Sequence, residues 1–294
     1  MTDLWNATRG VWPIRPSETT DFIRCPRLWR YKHVDGWQPP ASAWSPERLV
    51  GSTLHAGIAA YWVWLEEKGP EMTGSGAKFA EMAAQDYIRQ GWPPDAPLEY
   101  SRDALESHAL KVLDKVLAWV EKEMSGVEPI MIEQALDEKG HTTPDLVTRE
   151  PAGLTVTDWK YSAHIDPDRV RYRLENIDRT HQFLHYCWAV GKHLKEPVRQ
   201  FRKVVIVGGP RIMVREATFT PTPAMLDQWL TGARQMWQDM SEMRAGERVA
   251  YQREAGCTMY GPKWPCTYTE ACWTCHSDPD KMAQFYTRPS RAEG

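Results

Sequence analysis

The chain has 294 residues, 42% hydrophobic and 26% charged, with a formal net charge of -3 at pH 7. It is long enough to bury a large core in one elaborated domain or two tightly packed ones, and its near-neutral balance excludes a global positive field, so any contact with nucleic acid belongs to a local groove. The longest apolar stretch, Ala56 to Leu65, is far short of the ~20 residues of a membrane span. The first twenty residues lack a basic start followed by an apolar run, and six cysteines without such a leader point to a reducing, cytoplasmic setting in which clustered thiols bind metal rather than form disulfides.

In chain order, residues 1–50 carry prolines and scattered tryptophans around one short helix, from Ser17 or Thr19 to Tyr31, with those two hydroxyls as candidate caps. Gly51 to Glu67 reads as helical. Ser101 to Met124 reads as an amphipathic helix in which Leu105, Ala109, Val112, Leu113, Val116, Leu117 and Val120 follow the 3.6-residue period. Strands are predicted at Ile130–Leu136, Asp145–Thr148, Leu154–Tyr161, Lys203–Val207 and Ile212–Phe219, with a helix at Asp178–Leu194 linking the third strand to the fourth. Thr222-Pro223 opens a last helix with Leu226, Trp229, Leu230, Ala233, Trp237 and Met240 on one face and Gly246 at its close. The expectation is an α/β fold, a mixed central sheet flanked by helices. It forms one domain over 1–280: a helical part at 17–125, a sheet core at 126–220, and a helix with a cysteine-rich segment at 221–280, followed by a flexible tail at 281–294.

The chemistry sits on the strands. In Leu154-Thr-Val-Thr-Asp-Trp-Lys160 the period-2 alternation puts Asp158 and Lys160 on one face, toward a solvated cleft, and Trp159 on the other. Twelve residues lie between Asp145 and Asp158, enough for a strand, a turn through Pro151 to Gly153 and a return strand that brings the two aspartates together. Two such carboxylates suit a Mg2+ or Mn2+ ion that polarises a phosphodiester and activates a water, with Lys160 orienting the nucleophile or stabilising developing charge. A solvated strand face also accounts for an Asp-x-Lys triplet. His55, inside an apolar helix, is either a satisfied core residue or a ligand. Gln182 and Tyr186 form a common i,i+4 pair, and Glu133 is either a further active-site carboxylate or an edge-strand glutamate.

A second constellation is made of thiols. Cys257-x8-Cys266-x5-Cys272 stands near one end and Cys25 near the other, and four thiolates sharing a site would pin those segments together, around zinc or an iron-sulfur cluster. Cys272-Trp-Thr-Cys275 is a Cys-x-x-Cys that forms half a zinc knuckle or replaces one ligand, while Cys187 reads as a small core residue. Trp29, Trp37 and Trp159 either stack unpaired bases or pack in the core. Arg24, Arg27, Arg30 and Lys32 form the best local basic patch, for phosphate contact or as a solvated face. No Gly-x4-Gly-Lys-Ser/Thr element occurs in the sequence, so any unwinding belongs to a partner.

Pro144-Asp145, the spacing, and Asp158-Trp-Lys160 together resemble the PD-(D/E)XK nuclease motif. Gly51-Ser-Thr-Leu-His55-Ala-Gly57, Gln182-Phe-Leu-His-Tyr186 and Cys25-Pro-Arg-Leu-Trp-Arg-Tyr31 resemble segments of the RecB-like branch of that superfamily, and the cysteine triplet is similar to that of the AddB and CRISPR-associated RecB-like nucleases. The resemblance implies a restriction-endonuclease-like core that hydrolyses DNA, as an exonuclease on single strands or ends, with Mg2+ or Mn2+ held by His55, Asp145, Asp158 and the Trp159 carbonyl. Lys160 would assist the attacking water, Glu133 would add a carboxylate, and Gln182, Tyr186, Arg24 and Arg27 would contact DNA. A [4Fe-4S] cluster, or alternatively Zn2+, would sit on Cys25, Cys257, Cys266 and Cys272. Recombination, repair, phage DNA processing and CRISPR adaptation are the implied settings, with a helicase or recombination partner. The non-enzymatic alternative is a metal-stapled DNA-binding or adaptor protein.

Overall fold

The computed structural model describes residues 15–38, 45–69, 73–94, 96, 99–137, 141–163, 170–171, 174–175, 181–251, 266–275 and 277–288. They divide into two compact units, the first built on residues 45–226 and the second on 15–38 together with 227–288.

The first unit joins three helices, α3 (Pro46–Lys68), α4 (Thr73–Gly91) and α5 (Arg102–Glu123), to a sheet of β1 (Glu128–Ile132), β2 (Leu146–Glu150), β3 (Gly153–Ser162), β4 (Val198–Val207) and β5 (Met213–Phe219), with α6 (His181–Leu194) between β3 and β4. The spatial order follows the chain order. The β3–β4 pair is parallel and the other three are antiparallel, as expected when a helical crossover separates one strand from the next.

Local chemistry explains the boundaries. Ser45 caps α3 by accepting from Arg48 N at 3.3 Å, and Pro46 occupies its first turn. Ser101 caps α5 in the same way through Ala104 N, and the predicted apolar stripe of that helix is buried from Ala109 to Val120. Helix α4 has no counterpart among the predicted elements. Its core face is Ala80, Ala84 and Ile88, and two alanines make a faint stripe in a segment that opens with Gly74 and Gly76. Gly57 of α3 allows the three helices to close: a Cβ there would lie 2.7 Å from Leu113 Cδ2 and 3.3 Å from the Ala80 carbonyl oxygen. Leu54, Ile58, Tyr61 and Trp62 of α3 share one core with Val112, Leu113 and Val116 of α5 and with Trp159, Val204 and Ile206 of the sheet. Burial of this kind is the principal stabilising term.

The second unit begins with α1 (Pro16–Arg24) and α2 (Pro26–Trp29), runs into a π-helical turn at Arg30–Val34, and continues in α7 (Pro223–Ala245), α8 (Thr269–Trp273) and α9 (Pro279–Met282). The single helix predicted up to Tyr31 is broken at Cys25, which is extended at φ -162° because the following Pro26 disfavours helical backbone there. Gln38 and Thr287 exchange two backbone hydrogen bonds, Gln38 N to Thr287 O at 2.8 Å and Thr287 N to Gln38 O at 2.9 Å, and Tyr268 donates to the Trp37 carbonyl at 2.6 Å. Among the described residues no helix is long and apolar enough to cross a membrane.

Candidate active site

The register of the sheet assembles the site. Leu146 of β2 lies opposite Thr157 of β3, which sets Asp145 beside Asp158 within the next strand, and Asp145 Oδ2 accepts from Trp159 N at 2.7 Å. The tight connection at Glu150–Gly153 needs the positive φ of 116° that Gly153 adopts, where a Cβ would also strike Arg199 Cγ at 2.6 Å. Helix α3 brings His55 over the same strand end: its Nε2 lies 3.0 Å from the Trp159 carbonyl, its Nδ1 3.3 Å from Glu133 Oε1 and 3.6 Å from Asp145 Oδ1. Glu133 stands just past β1 rather than within the strand, with a left-handed backbone at φ 46°. Such backbone is disfavoured for a glutamate, and here it accompanies a carboxylate directed at the His55 imidazole.

The predicted side chains separate into two neighbouring groups. His55, Glu133 and Asp145 offer ligand atoms all within 4.8 Å of one another. Asp158 carries the second group: its Oδ1 accepts from Lys160 Nζ at 2.7 Å and from Gln182 Nε2 at 3.3 Å, and Gln182 also donates to the Tyr186 hydroxyl at 3.2 Å. Asp158 is 2% exposed, so the solvated cleft expected around it is replaced by a buried carboxylate held through Oδ1, while the Lys160 side chain remains 36% exposed. Trp159 is buried and packs edge-on against Trp119, which leaves its backbone carbonyl for the site.

Charge is out of balance in the first group. Burial, and then the Asp158 charge, push the Asp145 carboxyl up to about 7 against the pull of His55 and Lys160. Burial works against a charged His55, yet Glu133 and Asp145 outweigh it and raise its pKa. Both ring nitrogens therefore face acceptors, and a proton on His55 supplies part of the positive charge these carboxylates call for. The donor set, an imidazole, two carboxylates and a backbone carbonyl crowded until one carboxyl resists ionising, fits a hard divalent cation. Lys160 is held protonated, its burial more than offset by Asp158 and Asp145. Tyr186 stays a neutral hydroxyl, raised first by burial and then by the same two aspartates.

A family model for the PD-(D/E)XK nuclease superfamily matches residues 14–273. The chain belongs to the PD-(D/E)XK nuclease superfamily. A "Putative exonuclease" from Eubacterium rectale has a solved structure similar to this nuclease at a TM-score of 0.49 and 14% identity, covering 95% of this chain and 92% of that one. A search of curated proteins returns no match.

The thiols gather in the second unit. Cys25, Cys266 and Cys275 are buried in one cluster with Leu28, Tyr31, Trp37, Tyr268 and Tyr286, and Cys272 packs against it. All four are free thiols. The pKa of Cys272 is raised, by burial first and with a contribution from Cys25, against the pull of Arg27. Cys257 lies outside the described residues, whereas Cys275, read from sequence as a substitute ligand, is fully buried among the others. Among the described residues no three of these thiols bring their sulfurs within 4.8 Å of one another, as the ligand atoms of His55, Glu133 and Asp145 are. Arg24 closes α1 and Arg27 lies in α2, both in this second unit. Cys187 is a buried residue of α6, as its apolar neighbours suggested. Sequence pattern did not single out Tyr161, whose hydroxyl meets His108 Nε2 at 3.1 Å; its partner is on another element, and no local spacing marks the pair.

Proposed function

We propose that this PD-(D/E)XK nuclease is a Mg2+- or Mn2+-dependent deoxyribonuclease of the RecB-like type, an exonuclease acting on single strands or DNA ends. The observation that carries the reading is the convergence of His55, Glu133 and Asp145 next to a lysine locked on a buried aspartate. His55, Asp145 and Glu133, with the Trp159 carbonyl and Asp158 beside them, would hold the cation. When bound, it polarises a phosphodiester and lowers the pKa of water at neutral pH.

The chain's own groups do the rest. Lys160, protonated and fixed by Asp158, offers positive charge to phosphate oxygens without having to reorganise. Asp158 also binds the Gln182 amide, which orders a donor and, through it, the Tyr186 hydroxyl one turn further along α6. The buried position of Asp158 keeps this lysine–aspartate–glutamine array in one geometry, and preorganisation of that kind is where phosphoryl chemistry gains most of its rate.

In the second unit, Cys25, Cys266 and Cys272 are proposed to hold a [4Fe-4S] cluster with Cys257 or Cys275 as the fourth ligand, and the burial of Cys275 favours the latter. Zn2+ is the competing occupant. The cellular setting proposed is recombination, repair, phage DNA processing or CRISPR adaptation, with a helicase or recombination partner supplying any unwinding.

An end-labelled single strand incubated with Mg2+ should be degraded from one end, and EDTA should stop it. Lys160→Met and Asp158→Asn should each lower the rate by about a hundredfold or more, the scale of losing one preorganised donor. Wild-type cleavage in either variant would refute the assignment of these residues.

A further inference from the structure

Beside the His55 group lies an open groove of about 620 Å³ in the first unit, whose lining includes Arg48, Ser52, His55, Tyr87, Lys160 and Tyr161. It leads from the residues assigned to cleavage, His55 and Lys160, to two that the proposed chemistry does not use, Arg48 and Tyr87. Arg48 is exposed in the first turn of α3. Among the described residues its guanidinium has neither an ion-pair nor a hydrogen-bond partner, while the acidic residues of the same groove are committed, Glu47 to Ala163 N at 2.9 Å and Glu133 to His55 at 3.3 Å. Tyr87 leaves the outer face of α4 with 42% of its surface exposed, although the core face of that helix is complete without it. The floor is firm. Tyr161 is tied to His108, and Gly51 keeps α3 close to β3, its missing Cβ lying 3.5 Å from Tyr161 Cβ.

An unpaired cation, a serine hydroxyl and an exposed aromatic ring, arranged along a groove that ends at a phosphodiester-cleaving group, match the repeating chemistry of one strand of nucleic acid: phosphate, sugar, base. We propose that this groove seats the unpaired strand next to the scissile phosphate, with Arg48 paired to a backbone phosphate and a base stacked on Tyr87. The inference rests on the nuclease reading and deepens it, because a ring that stacks on a free base face selects single strands over duplex. Stacking on an aromatic does not read base identity, so the groove confers strand preference without sequence preference. Arg48 and Tyr87 are positioning residues in this account, touching the strand away from the reacting atoms.

The test is binding of a fluorescein-labelled oligothymidylate to the full chain in EDTA, where no cleavage occurs, followed by anisotropy over a range of salt. Tyr87→Ala should weaken binding about tenfold, within the span of one base–aromatic stack, and Tyr87→Trp should restore it while Tyr87→Leu does not. Arg48→Gln should flatten the dependence of log affinity on log salt by about 0.7, the value of one phosphate on a single strand. With Mg2+ present, both Tyr87→Ala and Arg48→Gln should raise KM more than they lower kcat. Wild-type binding together with unchanged affinity and salt slope in both variants overturns this inference and leaves the nuclease reading standing, and rescue by Tyr87→Leu overturns the stacking role. A wild-type chain that binds no single strand also overturns this inference, and degradation of an end-labelled strand with Mg2+ then decides the nuclease reading by itself.

Discussion

In the first unit Asp145 immediately precedes β2 while Asp158 and Lys160 lie in β3, so the antiparallel pairing of those strands brings them together, and a single helix lays His55 across them. In the second unit Cys25 meets Cys266, Cys272 and Cys275 across some 240 residues of chain, and the meeting is secured by tyrosines, Tyr268 on the Trp37 carbonyl and Tyr31 on Ser277 at 2.5 Å. The difference teaches where each site is vulnerable. A site carried by a sheet keeps its geometry when one functional group is removed, because the ladder of backbone bonds remains. A site carried by loops and short helices has only a few long-range contacts to close it, such as the Gln38–Thr287 backbone pair and the Tyr268 hydroxyl, so anything its thiols hold in common would add directly to its stability.

The sharpest way to break that comparison is to remove one thiol. Protein purified without oxygen should be brown, and Cys25→Ser should lose the colour together with cooperative unfolding of the second unit, because structural metal sites carry folding free energy on the order of 10 kcal/mol. Cys275→Ser and Cys257→Ser then separate the two candidate fourth ligands, and the burial of Cys275 predicts that its variant bleaches and that of Cys257 does not. A colourless protein with stoichiometric zinc would reassign the occupant and keep the ligands.

Smaller effects probe the first unit. Burial holds His181 to about 4, and burial with the neighbouring His181 charge holds His185 to about 3, both from an ordinary 6.5. The fold favours their neutral forms, so their contribution is present above pH 6.5 and is lost as pH falls through that window, by up to about 1.4 kcal/mol per pH unit for each. Asp145 acts in the opposite sense: its raised carboxyl stabilises the metal-free fold at low pH, and that contribution is lost as pH rises toward 7. In an Asp145→Asn background, with this opposition gone, the urea midpoint should therefore fall steadily from pH 6.5 to 4.5; a flat profile would contradict the burial of these histidines. The smallest change expected is Gly57→Ala. Crowding Leu113 and the Ala80 carbonyl costs ~1–3 kcal/mol, and the better helix former returns about 1 kcal/mol, for a modest loss in Tm with cleavage per folded molecule intact. A gain in Tm would mean that α3 and α5 can separate freely.

Much of this was legible in the amino-acid order, and the exceptions have physical causes. The Asp145 to Asp158 spacing signals a hairpin because a strand alternates with period 2 and the turn carries Gly153, so the pairing of the two aspartates follows from local rules. Helix α5 was legible through its valines and leucines; α4 was not, because alanine buries well without marking a stripe. Glu133 could not be placed from pattern, since its φ of 46° breaks the strand period at the position that matters. The division of carboxylates was also hidden: Asp145 joins His55 while Asp158 joins Lys160 and Gln182, and the partners His55 and Gln182 come from helices whose placement over the sheet no local spacing marks. Cys275 against Cys257 is likewise a question of which loop folds inward, and cysteine spacing alone leaves both open.

The central claim is that the group on the sheet is a cation site, and calorimetric titration of Mn2+ into the wild-type chain and into His55→Ala tests it most directly. His55 is 28% exposed and touches polar partners, so its removal opens no core cavity and Tm should change little. The account predicts that Mn2+ affinity falls at least about tenfold, as loss of a ligand or its supporting contact does. Unchanged Mn2+ affinity in His55→Ala would contradict it.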